Sequence, residues 1–498
     1  MDELSIRRLL KRASTDATLK QDSGIRNGHT RVLGRAAACL AAAALLVGCA
    51  VKRPPSTQQI VHDAMPPTTT IPDAWSGKNT PAGQVADGWV KTFGDPQLEA
   101  IVAEAVRNNL NLKAAATRVG VATNLVTETH AQMTPFIGAT GSATYLGRYG
   151  QTNILGKPKG QFNASSILAG VSWELDLWGR IRAQTAAARQ QVAATQAEVL
   201  YAQESLAAVT AKLWFMATYT QVLERYAEQN VEIKRQELIL TESKREIGGA
   251  QDQQVAIARA ELASAQSQVT ALQGSLQQIV RGIEVLLGRY PSAELKVAAT
   301  LAKLPPPVPA GLPVQLLERR PDILAAEHNV NAAFHMVQST KAARLPSLSL
   351  TGAAGYMTNE IFQMLSFRPW VWTVGANLAA PLYTGGFLTA QVNVAKEDQK
   401  AALAIYAETI IEAFDEVEVA LANEGYLREE QRQLQSSLAD VSHALALEQT
   451  KYEVGQVDMD PVLQLEAAEL GAKAATTQIE YDLLANRINL YLALGGGF

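Results

Sequence analysis

Residues 181–247, IRAQTAAARQQVAATQAEVLYAQESLAAVTAKLWFMATYTQVLERYAEQNVEIKRQELILTESKREI, contain neither proline nor glycine. At a rise of ~1.5 Å per residue, this uninterrupted run predicts one helix about 100 Å long. Val192, Val199, Leu206 and Leu213 fall seven apart, as do Ala202, Val209, Met216 and Leu223. Gly248-Gly249 ends the run. Val255, Leu262, Val269, Leu276 and Ile283 then resume the same spacing, with Ala258, Ala265, Leu272, Ile279 and Leu286 as a second seam. These are heptads in both directions of a helical hairpin. Such a helix cannot sit inside a globular core; it must pack sideways along its length.

The whole unit occurs twice. Asn111–Tyr145 realigns on Asp322–Tyr356 at an offset of 211, pairing Leu112 with Ile323, Val119 with Val330, Pro135 with Pro346 and Gly141 with Gly352. The offset then becomes 207, matching Ala183-Gln184 to Ala390-Gln391, Leu240 to Leu447, Gly248 to Gly455 and Val255 to Val462. One architectural unit built twice points to a wall or a tube rather than to a single catalytic pocket. Each copy reads as helix, strand hairpin, very long helix, turn, return helix. In the first, Asp95 and Pro96 are the N-cap and first position of a helix running toward Met133, before Pro135. Strands are expected at Gly138–Tyr145 and Phe162–Trp178. In the second, a helix is expected over Val314–Arg344, strands at Ser347–Met357 and Trp370–Tyr383, and the long helix at Leu388–Val454. We therefore divide the chain at 88–290 (first repeat), 291–313 (a linker holding Pro305-Pro306-Pro307) and 314–498 (second repeat).

Trp372, Val374, Ala376 and Leu378 alternate with Thr373, Gly375, Asn377 and Ala379. Apolar-out, small-or-polar-in alternation with aromatics near strand ends suits an outer-membrane barrel wall, although a soluble hairpin packed on a helix alternates similarly. Four strands cannot close a barrel, which needs about eight. These strands require partners from other chains.

The two cysteines, Cys39 and Cys49, both precede the repeats, so no disulfide or zinc framework supports the body. Arg31 and Arg35, the apolar run from Ala36 to Gly48 and then Cys49 read as an export signal over residues 1–48. Leu46-Val47-Gly48-Cys49 has the residue types of a lipobox, which would place a diacylglycerol and an N-acyl chain on Cys49. Residues 49–87, rich in proline and threonine, read as an extended tether. Net charge is −4, charged residues make up 18% and no long basic run occurs, so a nucleic-acid footprint is missing.

Several stretches carry a resemblance: Trp89-Val90-Lys91-Thr92-Phe93-Gly94-Asp95-Pro96-Gln97-Leu98, Ser172-Trp173-Glu174-Leu175-Asp176-Leu177-Trp178-Gly179-Arg180, Leu316-Leu317-Glu318-Arg319-Arg320-Pro321-Asp322-Ile323, Pro381-Leu382-Tyr383-Thr384-Gly385-Gly386 and Leu494-Gly495-Gly496-Gly497. In order and over the whole mature chain, the sequence resembles the TolC-like outer-membrane efflux family, in its lipoprotein (OprM/NodT-type) branch. The resemblance implies an α+β membrane protein and a homotrimer. Four strands per chain would make a 12-stranded transmembrane β-barrel, continued by a long periplasmic α-helical coiled-coil barrel with a mixed equatorial domain. The loops at 147–160 and 357–369 would face the cell exterior. It also implies a periplasmic adaptor protein, an inner-membrane pump and outer-membrane lipid as partners, with no nucleic acid, no catalytic residues, no metal and no cofactor beyond the Cys49 lipid.

In that family the hairpin turns meet the adaptor and close the resting tunnel. The adaptor-contacting tips here are Gly248, Gly249, Gly455, Gln456 and Val457, and Tyr452 matches the gate tyrosine. The acidic positions six and nine after the turn glycine are Pro461 and Gln464 here, and the corresponding first-copy position is Gln254. Asp458, Asp460 and Glu466 offer displaced negative charge, which threefold repetition would turn into a cation-attracting ring. Asp458 is equally suited to capping the last helix. Asp252 stands at the first tip.

Weaker signals point to structure. Glu174 and Asp176, two apart on a strand, share a face without a partner for acid–base work. His328 and His335 are seven apart, too far for one metal on a helix, and read as lining or surface residues. Glu318-Arg319-Arg320-Pro321-Asp322 offers charge pairing across the equatorial region, or a helix-start cluster of little energy. The sequence is thus read as the outer channel of a tripartite efflux pump of the RND type, a passive gated conduit in the outer membrane of a Gram-negative bacterium. Two rivals stand beside it: the outer channel of type I protein secretion, and a periplasmic coiled-coil scaffold that is not a channel.

Overall fold

Two helices of 67 residues each, Arg180–Glu246 and Phe387–Glu453, set the dimensions of the molecule, and each returns through a helix of 35. The computed structural model describes residues 52–69, 71–76, 87–146, 162–358 and 370–498; Cys49, the export segment, the strand-connecting segments 147–161 and 359–369, and hence the exterior loops expected there, lie outside these. In chain order the elements are α1 (Thr57–Ala64), a 3-10 turn (Trp89–Phe93), α2 (Pro96–Asn108), α3 (Leu110–Ala131), β1 (Phe136–Leu146), β2 (Phe162–Leu175), α4 (Arg180–Glu246) and α5 (Asp252–Leu286). The second half supplies a 3-10 turn (Pro313–Gln315), α6 (Leu316–Arg319), α7 (Pro321–Ala342), β3 (Ser347–Thr358), β4 (Trp370–Ala379), α8 (Phe387–Glu453) and α9 (Met459–Ala493).

Both first helices of the repeats are broken where continuous helices were expected. Asn109 interrupts the run toward Met133: its carboxamide oxygen accepts from the Leu112 N–H at 3.0 Å and starts α3, and its amide donates to the Leu286 carbonyl at 3.1 Å. Arg320-Pro321 interrupts the run from Val314, because proline holds its predecessor in extended backbone (φ −73°, ψ 121°). Strands β2 and β4 end at Leu175 and Ala379, short of Trp178 and Tyr383. Glycine and a carboxylate start the helix instead: Gly179 is left-handed at φ 75°, and the Asp176 carboxylate accepts from Ile181 N (3.1 Å) and Arg182 N (2.9 Å).

The stretch expected to be an extended tether also folds in part. Ser56 caps α1, Ile60 is buried, and the Thr57 hydroxyl donates to Glu327 at 2.8 Å. Trp75 donates to the Ala310 carbonyl at 3.0 Å and packs edge-on against Phe414. The amphipathic Thr57–Ala64 turn pair was hidden by its proline-rich surroundings.

The strands form one antiparallel sheet in the order β1-β2-β3-β4, with β1 and β4 at open edges. Its register aligns one face across all four strands. Ile137, Ile167, Val171, Trp173, Leu175, Leu348, Leu350, Tyr356, Trp370, Trp372, Val374 and Leu378 fall on that face. The other face carries Thr140, Ser142, Thr144, Ser166, Ser172, Ser347, Ser349, Thr351, Thr373 and Asn377. Trp372 and Val374 are 70% and 81% exposed, so the apolar face lies bare in one protomer.

Helix order repeats strand order. Below the sheet α3 packs on α4, α4 on α7 and α7 on α8; nearer the tips α5 packs on α4, α4 on α9 and α9 on α8. The protomer is therefore a wall with β1, α3 and α5 along one edge and β4 and α8 along the other. Small residues let the helices approach: Ala194, Ala207, Ala208, Ala211 and Ala217 are fully buried. Both edges expose apolar side chains, among them Leu110 and Val121 on α3 and Val394, Ile405, Val419 and Tyr426 on α8.

The main core sits midway, where the chain start, the linker and the return helices wrap α4. Trp89 stacks on Tyr491 at 5.7 Å and Phe93 meets Phe215 at 5.2 Å. Arg487, 1% exposed, fixes the linker by donating to the carbonyls of Pro305 and Pro306 and to Glu424.

Candidate functional site

The two hairpin turns share one backbone design. Gly248 (φ 77°) and Gly455 (φ 74°) take the left-handed conformation that ends each long helix. The next N–H reaches back in each: Gly249 donates to the Lys244 carbonyl at 2.7 Å and Gln456 to the Lys451 carbonyl at 2.8 Å. This is the double-bonded Schellman ending, in which a Cβ at the glycine would be strained. The tips therefore differ in side chains and not in backbone.

The first tip is held within its own hairpin. Arg245 reaches Asp252 at 3.4 Å, and the Gln254 side-chain oxygen turns back to accept from the Gln251 N–H at 2.8 Å, capping α5. Ile247 is 84% exposed beside Gly248 and Gly249. The second tip is tied across to the first. Lys244, in the last turn of α4, donates to the Asp460 carboxylate and lies 3.6 Å from Asp458. The hydrogen bond to Asp460 raises the Lys244 ammonium above its ordinary range. Asp458 occupies the N-cap of α9, yet its side chain makes no capping bond and points toward Lys244. The displaced acidic charge anticipated at this tip is thus half compensated by a lysine that sequence reasoning did not single out. One sign of it was available: Lys244 aligns with Lys451, and each stands four residues before its turn glycine.

Tyr452 is 45% exposed one turn above Gly455, with Val454 and Leu447 also exposed nearby. Gln456 and Val457 complete the turn. Glu466 lies farther up α9, where its carboxylate accepts from Gln449 at 3.4 Å. Above the tips, Ile233, Leu463 and Leu470 form a small buried cluster joining α4 to α9.

Elsewhere the singled-out residues resolve into structure. Glu174 pairs with Arg180 at 3.0 Å and Asp176 with Arg182 at 3.2 Å, so the two carboxylates serve the strand-to-helix junction. His328 meets Gln190 at 2.8 Å. His335, expected to line or face solvent, is buried between helices and its burial lowers the imidazole's proton affinity. Arg320 is buried and bidentate to Asp322, with a further contact to Glu416 at 2.6 Å, so this charge cluster spans elements instead of decorating a helix start. Among the described residues no helix is long and apolar enough to cross a membrane.

Comparison with known proteins agrees with this geometry. A family model described as "Outer membrane efflux protein" matches residues 101–289 and 312–496, one segment in each repeat. Over 447 residues the chain is 28% identical to the cation efflux system protein CusC of Escherichia coli O6:H1, covering 88% of this chain and 95% of that protein. It is 29% identical over 413 residues to the toluene efflux pump outer membrane protein TtgC of Pseudomonas putida, covering 82% and 85%. Among solved structures, the outer-membrane channel OprN superposes with a TM-score of 0.77 at 28% identity, covering 90% of this chain and 99% of that one.

Proposed function

This chain belongs to the outer membrane efflux protein family and is the outer-membrane channel component of an efflux pump, and from that premise we propose that three copies close into one continuous tube. The observation that carries the reading is the alignment of edges: β1 stands over α3 and α5, and β4 over α8, along the full height of the wall. A head-to-tail contact between these unlike edges closes a ring when the rotation is right. Three copies give twelve strands, enough to leave no unpaired edge. The apolar face then meets lipid, and the hydroxyl-rich face lines the lumen.

Among the described strand residues, Glu174 is the one charged side chain on the lumen face, and Arg180 pairs it. Such a lumen does little to sort cargo by charge. Near-equal identity to relatives named for cation and for toluene efflux supports a reading in which the inner-membrane pump chooses the cargo. The hairpin tips, with exposed Ile247, Val454 and Tyr452, offer the periplasmic adaptor its contact, and the Lys244–Asp460 clasp favours the closed arrangement. Cys49 carries the lipid.

Outer-membrane extraction tests the proposal directly. The expected product is a heat-modifiable trimer that conducts in planar bilayers. A soluble periplasmic monomer with no conductance would refute it.

A further inference from the structure

The joint between return helix and wall is built twice, with different chemistry. In the first repeat the Asn109 amide holds the Leu286 carbonyl at the end of α5. In the second, Arg320, at the matching offset of 211, donates to the Ala493 carbonyl at 3.2 Å at the end of α9. The first joint adds one ion pair, Arg289 with Glu104 at 2.6 Å, to its carboxamide. The second has gathered a larger cluster: Arg319 from the end of α6, Arg320 between α6 and α7, Asp322 from α7, Glu416 from α8, Tyr201 and Glu204 from α4, and Asp87 from the segment before the first 3-10 turn. Two guanidiniums face four carboxylates. At the offset of 207, Glu204 matches Ile411 and Glu416 matches Val209, so the carboxylates belong to this joint alone.

Three of the four carboxylates are engaged. Asp322 and Glu416 hold Arg320, and Asp87 holds Arg319 at 3.2 Å while also accepting from the Gly497 N–H. Glu204 is different: its Oε2 is buried without a hydrogen-bond partner among the described residues. A buried carboxylate oxygen with no donor is costly when charged and far less so when protonated. We propose that the Arg320 joint is a proton-operated hinge, in which a proton on Glu204 tightens the attachment of the α8–α9 hairpin to the wall and its loss loosens it. The use of this hinge in gating rests on the channel reading above; the hinge itself does not.

Burial raises the Glu204 carboxyl from its ordinary range to about 7, with Asp322 and Asp87 adding to the rise and Arg320 and Arg319 opposing it. The sign follows. A carboxyl that binds its proton more tightly when folded stabilises the fold fully below its ordinary range, and that stabilisation is lost as pH rises through about 7.

Thermal unfolding of the purified full-length protein in detergent, from about pH 5.5 to about pH 8.5, tests this against Glu204→Gln and Asp87→Asn. The wild-type melting temperature should fall with rising pH, and Glu204→Gln should remove that fall, so that the two curves diverge as pH rises. Asp87→Asn, at an exposed side chain, should move the wild-type midpoint to lower pH. A Glu204→Gln curve parallel to wild type overturns the proposal; if that variant does not fold, an unmoved midpoint in Asp87→Asn overturns it. Bilayer conductance on the same wild-type preparation separates the two readings. Conductance with parallel unfolding curves refutes the hinge alone, and diverging curves without conductance refute the channel alone.

Discussion

Replacing Val374 with arginine should weaken the assembled channel far more than replacing Thr373, its neighbour in β4. Val374 lies mid-strand and 81% exposed, opposite Gly352, which has no side chain to shield it. Its face runs continuously through Val171 and Ile137 on the neighbouring strands. If that face meets hydrocarbon, arginine at mid-depth costs ~2–4 kcal/mol per chain, hence about 6–12 kcal/mol for three copies. Thr373 points to the opposite, hydroxyl-rich face, where a long polar side chain finds water, and a substitution there stays within ~0.5 kcal/mol. The assay is the temperature at which the trimer dissociates on electrophoresis in detergent. Val374→Arg should lower it sharply or abolish the trimer in membranes, while Thr373→Arg should leave it nearly unchanged. Equal losses from both would refute the two-faced wall, and so would equal tolerance.

Three further outcomes follow from single contacts. Tyr452→Phe combined with Asp460→Ala should raise single-channel conductance, and Lys244→Ala alone should reproduce part of the rise; unchanged conductance in both would remove the tip from the gate. Each such exposed pair contributes only ~0–1 kcal/mol, so the effect should be graded. Arg487→Ala should destabilise the protomer by ~2–4 kcal/mol, because it leaves two proline carbonyls without their buried donor while Glu424 keeps Arg428; a melting temperature equal to wild type would contradict that network. Gly355→Ala should block β2–β3 pairing, since a Cβ there collides with the Ile167 carbonyl, and normal trimer yield would contradict the register.

The long elements were legible because their signals are repeated along many residues. A helix without glycine or proline declares itself, and so do heptads and a strict strand alternation. The shorter second outer loop was legible too: the segment joining β3 to β4 is four residues shorter than the one joining β1 to β2. What escaped was decided by single side chains. Asn109 breaks a helix only because Leu286, far away in sequence, supplies a carbonyl for its amide. The α1 helix forms because Glu327 accepts from Thr57 and α8 offers its buried face a surface. Lys244 meets Asp460 only when α4 and α9 lie side by side. Glu204 reads as one more polar position in a heptad until the fold brings the Arg320 joint against it.

The inequality between the two hairpins follows from their place in the wall. Helix α4 lies inside the protomer, flanked by α2, α3, α5, α7 and α9, and 19 of its residues are buried. Helix α8, equal in length, is an edge with nine buried residues, and below Ala420 only Leu445 is among them. The backbone endings of the two hairpins are the same, so no difference in turn geometry explains why one should move. Packing does. The α4–α5 hairpin is anchored through α4 to the middle of the wall, whereas the lower part of α8–α9 is held within its chain by the Ile233–Leu463–Leu470 cluster and by the Lys244 clasp at its tip. An element with so few buried contacts opens at low free energy. The charged Arg320 joint stands at the upper end of that same hairpin, where Leu490, Tyr491, Ala493 and Leu494 also pack into the main core, so the tip is the weakly held end.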